Sequence, residues 1–245
     1  MNIPAIEKAG KNYNSYMYED RDIIPSNVYR YQIQLRKNML EQELKNKTFD
    51  VVLDLGCGIG INSVILDSFT NKLLILSDLS KEAITTAKSH QYKNKIMVKV
   101  CDAKEFNINL HSKINLVHIC GVLHHLPSDL DECISNLTKY TAKKTIVIVD
   151  EPNALNPFWW IVMKLSDADP VGNERPLLLS NILTKFKHYG YLPNKISYYA
   201  YFTPLLSTLT NNKRVLAQCE KIDLAMSKTF IKMFGWRWRI IFESF

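Results

Sequence analysis

The sequence predicts an α/β fold built on a doubly wound, mostly parallel β-sheet. Five short apolar runs rich in β-branched residues alternate with helix-like stretches along the first 150 residues. The first of these runs ends at Asp54, and glycines follow at positions 56, 58 and 60. An apolar stretch begins directly afterwards at Ile61. This order is typical of a buried parallel strand, a tight turn and a helix whose N-terminus faces a ligand.

The remaining elements follow from periodicity and from turn residues. Pro25-Ser26-Asn27 predicts a turn and cap before a helix over 28–44, and Gly190 predicts the end of a helix over 176–189. Other helices are predicted over 61–69 and from Ser80, and strands over 51–54, 73–76, 96–100, 114–119, 145–149, 196–203 and 236–242. Because ligands bind at the carboxyl ends of parallel strands, five residues are expected at one edge: Asp54, Gly56, Asp78, Asp102 and Cys120.

The spacing of the glycines limits what the turn can bind. A dinucleotide turn reads Gly-x-Gly-x-x-Gly, but position 61 is Ile, and the Gly-Lys-Ser/Thr of a phosphate loop is missing from this turn. Asp54 would repel a phosphate and suits a cation or a hydroxyl-rich ligand better. The alternative left open is a structural turn that binds nothing.

Two acidic residues later in the chain lie at positions suited to binding a nucleoside. Asp78 follows the glycine turn by ~20 residues, the offset at which a strand-end acid meets ribose hydroxyls. Asp102 follows the third strand and could accept a hydrogen bond from an adenine amino group. Together these acids favour a nucleoside ligand over an empty turn.

The run from Asp54 to Gly60 resembles the first motif of class I S-adenosylmethionine-dependent methyltransferases of the methyltransferase-11/12 type. Leu-His-His-Leu-Pro at 123–127 and Glu-Pro-Asn at 151–153 are similar to segments of the same group, so the resemblance spans roughly residues 30–200. It implies a Rossmann-like sheet of about seven strands closed by an antiparallel strand. It also implies S-adenosyl-L-methionine as cofactor, with S-adenosyl-L-homocysteine as product.

The resemblance assigns roles to individual residues. The glycine turn would approach the methionine part of the cofactor, Asp78 the ribose, Asp102 the adenine and Cys120 the sulfonium. The full set of expected cofactor residues is Asp54, Gly56, Cys57, Gly58, Asp78, Leu79, Asp102, Ala103 and Cys120.

Three residues are candidates for catalysis: His124, His125 and Glu151. A positioned base adds about 10²- to 10⁴-fold to a methyl transfer that requires proton removal. Each histidine has the alternative role of packing or capping the turn. We therefore expect methylation of an O or N atom of a small molecule. The rival classes are an NAD-dependent oxidoreductase, which the glycine spacing disfavours, and a catalytically silent cofactor-binding protein.

Two helical additions to the sheet domain are predicted, one near each end of the chain. Residues 1–48 carry five tyrosines and are predicted to form a helical lid ahead of a methyltransferase domain over 49–245, with a helical insertion over 204–234. Trp159 and Trp160 either line an acceptor pocket or pack on the core, and with the tyrosines they favour an apolar or aromatic acceptor. Residues 221–239 could touch a membrane surface, but the Trp-Arg-Trp-Arg alternation at 236–239 favours a half-buried strand.

Composition narrows the remaining choices. The net charge is +7, from 31 Lys and Arg against 24 Asp and Glu, but the basic residues are dispersed, which disfavours nucleic acid as a partner. Five cysteines without a Cys-x-x-Cys pair, and without zinc-site spacing, predict reduced thiols, no metal and a cytoplasmic location. The sequence contains no apolar run of membrane-spanning length and no signal-peptide pattern.

Overall fold

A seven-stranded sheet forms the centre of the computed structural model, which describes residues 26–159, 175–201 and 212–245. The strands are β1 (Phe49–Leu55), β2 (Thr70–Asp78), β3 (Lys95–Val100), β4 (Ile114–Cys120), β5 (Thr141–Pro152), β6 (Tyr191–Tyr199) and β7 (Arg237–Ser244). The helices are α1 (Ser26–Glu43), α2 (Ile61–Asp67), α3 (Lys81–Lys88), α4 (Leu130–Thr138), α5 (Leu179–His188) and α6 (Lys213–Met226). Short 3₁₀ turns lie at Ala103–Glu105, Leu123–His125 and Phe230–Phe234.

The strand order is β3-β2-β1-β4-β5-β7-β6. β1 to β5 pair in parallel, and β7 runs antiparallel to both of its neighbours. The order reverses between β1 and β4, so these two strands lie side by side at the switch point where open α/β sheets bind ligands. The predicted fold class, including the closing antiparallel strand, is confirmed.

Apolar side chains cover both faces of the sheet. On one face, Leu40 of α1, Leu66 of α2 and Ile84 of α3 pack over the buried residues of β1 and β2. On the other face, Ile134 of α4 and Phe186 of α5 belong to the larger core cluster with β4, β5 and β7. Because both faces are covered, the strands read as continuous apolar runs.

Several elements differ in extent from the prediction, three of them for a reason visible in their contacts. β5 continues past Val149 to Pro152 because its last residues pair with β7, with Glu151 opposite Trp238. β6 begins at Tyr191 rather than at residue 196; Pro193 is tolerated because this is an edge strand. α5 begins at Leu179 rather than at residue 176 because Leu177 forms a β-bridge with Asn153.

Parts of four predictions fall outside the described residues: the first 25 residues of the expected lid, Trp160, residues 202–203 of the predicted strand 196–203, and residues 204–211 of the insertion. Of the lid, α1 is described, and of the insertion, α6 and the 3₁₀ turn that follows it. None of the helices in the described part of the chain is long and apolar enough to cross a bilayer.

Candidate active site

The glycine turn between β1 and α2 is built from left-handed backbone. Gly56, Gly58 and Gly60 have φ angles of 71°, 53° and 82°. A Cβ on Gly56 would lie 2.1 Å from Cγ2 of Val122, so the turn packs directly against the segment after β4. Only glycine satisfies both the positive φ and this close approach. The contact brings the turn to the segment that carries the two candidate histidines.

Asp78 ends β2 and connects the turn to α3. Its Oδ2 accepts a hydrogen bond from the Gly58 N–H at 2.7 Å, and its Oδ1 accepts one from the Ser80 N–H at 2.9 Å. Burial raises the pKa of Asp78 above its usual value, although these two hydrogen bonds act in the opposite direction. Each carboxylate oxygen has a second lone pair. Asp78 can therefore hold the turn in shape and still accept hydrogen bonds from a diol.

Asp102 lies at the same edge of the sheet, just after β3. Its Oδ1 accepts the N–H of Lys104 at 3.1 Å and caps the 3₁₀ turn that begins at Ala103. Burial raises the pKa of Asp102 as well. Leu79 follows Asp78 directly. The residues expected to bind ribose and adenine therefore lie at the ends of β2 and β3, on the same side of the glycine turn.

Asp54 contacts protein groups in the core. Its side chain is 1% exposed and accepts a hydrogen bond from Oγ of Ser63 at 2.6 Å, while its other oxygen lies 2.8 Å from Nδ1 of His118 on β4. The acid of the motif thereby ties together β1, α2 and β4. Cys57 is also buried, and burial raises the pKa of its thiol.

Glu151 and His124 form a buried pair at the ends of β5 and β4. Nδ1 of His124 lies 2.7 Å from Oε2 of Glu151, and Oε1 accepts the N–H groups of Val122 and Leu123, both at 2.8 Å. Burial alone would raise the pKa of Glu151, but the hydrogen bond and charge of His124 bring it below its usual value. An ionised Glu151 accepts from an Nδ1–H, which makes Nε2 the nitrogen that can take a proton.

The two histidines of the Leu-His-His-Leu stretch are distinct. Their rings lie close together, with centroids 4.0 Å apart. His124 is the one paired with Glu151. His124 therefore contacts the end of β5.

A cluster of arginines, not anticipated from the sequence, lies beside this pair. Asp150 accepts hydrogen bonds from Nε of Arg237 at 2.7 Å and from Nε of Arg239 at 2.9 Å, and the hydroxyl of Tyr199 donates to it. Burial would raise the pKa of Asp150, but the two guanidinium charges lower it far below its usual range. Arg239 also donates to Glu43 at 3.0 Å, which joins the end of α1 to the sheet.

Cys120, the last residue of β4, lies next to this arginine cluster. Its Sγ lies 3.3 Å from Nη1 of Arg36 on α1 and 3.8 Å from Nη2 of Arg237. A Cβ on Gly121 would lie 3.8 Å both from that Nη2 and from Cε1 of His124. Arg237 and His124 thus both approach Gly121. The Trp-Arg-Trp-Arg alternation favoured a half-buried strand, but it did not indicate that Arg237 lies next to Cys120.

The segment after β5 is fixed by two buried asparagines. Nδ2 of Asn153 donates to the carbonyl oxygens of Met233 and Gly235, and Nδ2 of Asn156 donates to that of Phe234. Trp159 is buried, so it packs on the core in the described structure. The Glu-Pro-Asn stretch therefore makes two sets of contacts. Glu151 contacts His124, and Asn153 binds the backbone of the 3₁₀ turn before β7.

Comparisons with solved structures show that other proteins share this fold. The chain is similar in fold to the magnesium protoporphyrin IX methyltransferase of Synechocystis PCC 6803, with 14% identity, a TM-score of 0.61 and coverage of 97% of this chain and 99% of that one. It is also similar to the N-methyltransferase NodS of Bradyrhizobium japonicum WM9, with 13% identity, a TM-score of 0.60 and coverage of 94% and 98%. A third similar structure is the cyclopropane synthase MmaA2 of Mycobacterium tuberculosis, with 11% identity, a TM-score of 0.62 and coverage of 86% and 84%.

Sequence comparison gives the family. No curated protein matches the chain. The family model described as a methyltransferase domain matches residues 44–192, which span β1 to the start of β6 and include the glycine turn, Asp78, Asp102 and the His124–Glu151 pair. The chain belongs to this methyltransferase domain family and has the Rossmann-like fold of the class I S-adenosylmethionine-dependent enzymes.

Proposed function

We propose that this protein transfers a methyl group from S-adenosylmethionine to an oxygen or nitrogen atom of a small-molecule acceptor. The observation that carries the proposal is the 2.7 Å contact between Nδ1 of His124 and Oε2 of Glu151. An acceptor hydroxyl or ammonium must lose a proton when it is methylated, and this pair supplies an oriented imidazole for that step.

The residues around the glycine turn fit the cofactor. Gly56 leaves no room for a side chain, and Asp78 and Asp102 are buried carboxylates with lone pairs left for hydroxyl and amino donors. We assign the methionine part to the turn over 56–58, the ribose to Asp78 and Leu79, and the adenine to Asp102 and Ala103. Asp54 acts as a positioning residue, because its contacts are with Ser63 and His118.

The bound cofactor supplies a methyl group already activated on a sulfonium, so the chain's own residues orient the acceptor and take its proton. His124 accepts that proton at Nε2. Glu151 holds Nδ1 protonated and stabilises the imidazolium that forms. The N–H groups of Val122 and Leu123 keep the Glu151 carboxylate in place. In this scheme Glu151 is a positioning residue.

The surroundings of Cys120 suggest the chemistry of the acceptor. The guanidinium of Arg237 is fixed by Asp150 and approaches Gly121, as the ring of His124 does, and Arg36 approaches from α1. A fixed guanidinium pairs with carboxylate or phosphate groups. We therefore favour an acceptor with an anionic substituent over the apolar or aromatic acceptor that the tryptophans and tyrosines suggest.

The contact between Arg36 and Cys120 also supports a lid role for the N-terminal region. α1 reaches the end of β4 through Arg36 and is held to β7 by the pair between Glu43 and Arg239. We propose that residues 1–48 cover the acceptor side of the site, as the sequence predicts.

A two-stage experiment tests the function. Isothermal titration should detect binding of S-adenosylhomocysteine, with NADH as the negative control. Transfer of labelled methyl to a panel of hydroxy and amino compounds, with and without carboxylate or phosphate groups, should then identify a turned-over class. Binding without transfer to any member would favour the silent cofactor-binding protein, and failure to bind would refute the proposal.

A further inference from the structure

The 3₁₀ turn Phe230–Phe234 exposes large apolar side chains. Phe230 is 85% exposed, Met233 44% and Phe234 43%. Lys228 and Lys232 are exposed alongside them, and neither takes part in an ion pair among the described residues. We refer to these five side chains as the 230–234 surface. Several large apolar side chains exposed within one turn of a folded protein are typical of an interaction site.

The backbone beneath this surface is held firmly. Asn153 and Asn156, both 1% exposed, donate to the carbonyl oxygens of Met233, Phe234 and Gly235 at 2.7 to 2.8 Å. The hydroxyl of the buried Tyr201 donates to the carbonyl oxygen of Lys232 at 3.0 Å. Since side chains from the core bind the backbone on one side, the turn presents its phenylalanines outward as a fixed projection.

The charge around the turn identifies the partner. Residues 212–236 contain five basic and two acidic residues, and one of the acids, Asp223, is buried. Exposed phenylalanines interleaved with lysines match an anionic bilayer, whose headgroups attract the lysines and whose acyl boundary accepts the aromatic rings. On the preceding helix α6, Leu224 is also largely exposed.

We propose that the 230–234 surface docks this protein onto a membrane rich in anionic phospholipids. The docking goes beyond the proposed methyl transfer and does not depend on it. Through Asn153 the turn is linked to the strand that carries Glu151, so docking would hold the carboxyl end of β5 near the lipid interface.

Co-sedimentation of the full chain with vesicles tests this directly. We expect binding to phosphatidylcholine vesicles that contain phosphatidylserine, little binding to pure phosphatidylcholine, and weakening by added salt. Phe230→Ser and the double variant Lys228→Gln/Lys232→Gln should each reduce binding by about tenfold or more. Phe245→Ser removes an aromatic side chain that is 73% exposed at the far end of β7, and it should bind like the wild type.

Three results would overturn the proposal. One is no co-sedimentation of the wild type with anionic vesicles, and another is an equal loss of binding in the Phe245→Ser variant. The third is concentration-dependent self-association that Phe230→Ser abolishes, because the surface would then be an interface between two copies. Thermal melting of each variant checks that it is folded. If Phe230→Ser does not fold, vesicle binding by the lysine variant and the salt titration of the wild type test the proposal instead.

Discussion

Glu151 and His124 lie on neighbouring strand ends and contact each other at 2.7 Å, with the glutamate fully buried and the histidine nearly so. The same carboxylate holds two backbone N–H groups of the segment that carries the histidine. One side chain thus fixes both the position of this segment and the tautomer of its imidazole.

Glu151→Gln should keep the position of the segment after β4 but change the tautomer of the His124 imidazole. The amide oxygen can still accept the N–H groups of Val122 and Leu123, but the amide nitrogen would donate to Nδ1 and place the proton on Nε2. We expect methyl transfer to fall by about 10²- to 10⁴-fold while S-adenosylhomocysteine affinity is retained. Single-turnover rates and titration calorimetry provide the two measurements.

The double variant Glu151→Gln/His124→Asn is the control for this pair. If both residues act through one proton transfer, the second substitution should add little to the first. Full turnover by Glu151→Gln alone would contradict the base assignment.

Asp78→Asn should weaken cofactor binding and reduce the pH dependence of that binding. Ribose hydroxyls donate best to an ionised carboxylate, and burial raises the pKa of Asp78 above 3.8 in the free protein. Affinity for S-adenosylhomocysteine should therefore increase as the pH rises through that pKa and then level off. The variant should bind about 10- to 100-fold more weakly at neutral pH. Calorimetry across the acidic range, with the exposed Asp131→Asn as control, measures both effects; an affinity and a pH profile unchanged in Asp78→Asn would refute the assignment.

Asp54→Ala should destabilise the fold more than Asp50→Ala does. Both aspartates lie on β1, but Asp54 is buried with Ser63 and His118, whereas Asp50 pairs with Lys72 at the surface. Removing Asp54 leaves two buried polar groups without their partner, at a cost of about 3 kcal/mol in the free energy of unfolding. Asp50→Ala should cause no measurable change. Urea denaturation compares the two, and equal losses would show that the buried network contributes nothing.

Gly56→Ala should disrupt the turn more than Gly121→Ala does, although the φ angles at these glycines are 71° and 70°. Each substitution costs about 1–2 kcal/mol in left-handed backbone. Only at Gly56 does the new Cβ also collide with Val122, at 2.1 Å. We therefore expect Gly56→Ala to lose S-adenosylhomocysteine binding, and Gly56→Ala/Val122→Ala to recover part of it. No recovery in the double variant would mean that strain alone accounts for the loss.

The sequence by itself determined the fold class, the family and which acids and glycines lie at one edge of the sheet. These features depend on local patterns: apolar runs that end in polar residues, glycines at fixed spacing, and acids that follow strands. A parallel sheet turns such a linear pattern into a spatial one, because its strand ends converge on one edge. The positions of Asp78 and Asp102 could therefore be predicted without coordinates.

Only the tertiary structure decided what those side chains contact. The motif acid Asp54 pairs with His118, which lies 64 residues away in the chain and carries no local signal. Likewise, Arg237 and Arg239 meet Asp150 because β7 inserts antiparallel between β5 and β6. Strand order and register place these charges together, and neither is encoded by the spacing of nearby residues. The region around Glu151 and Arg237, which we propose as the acceptor side, depends on such long-range pairings.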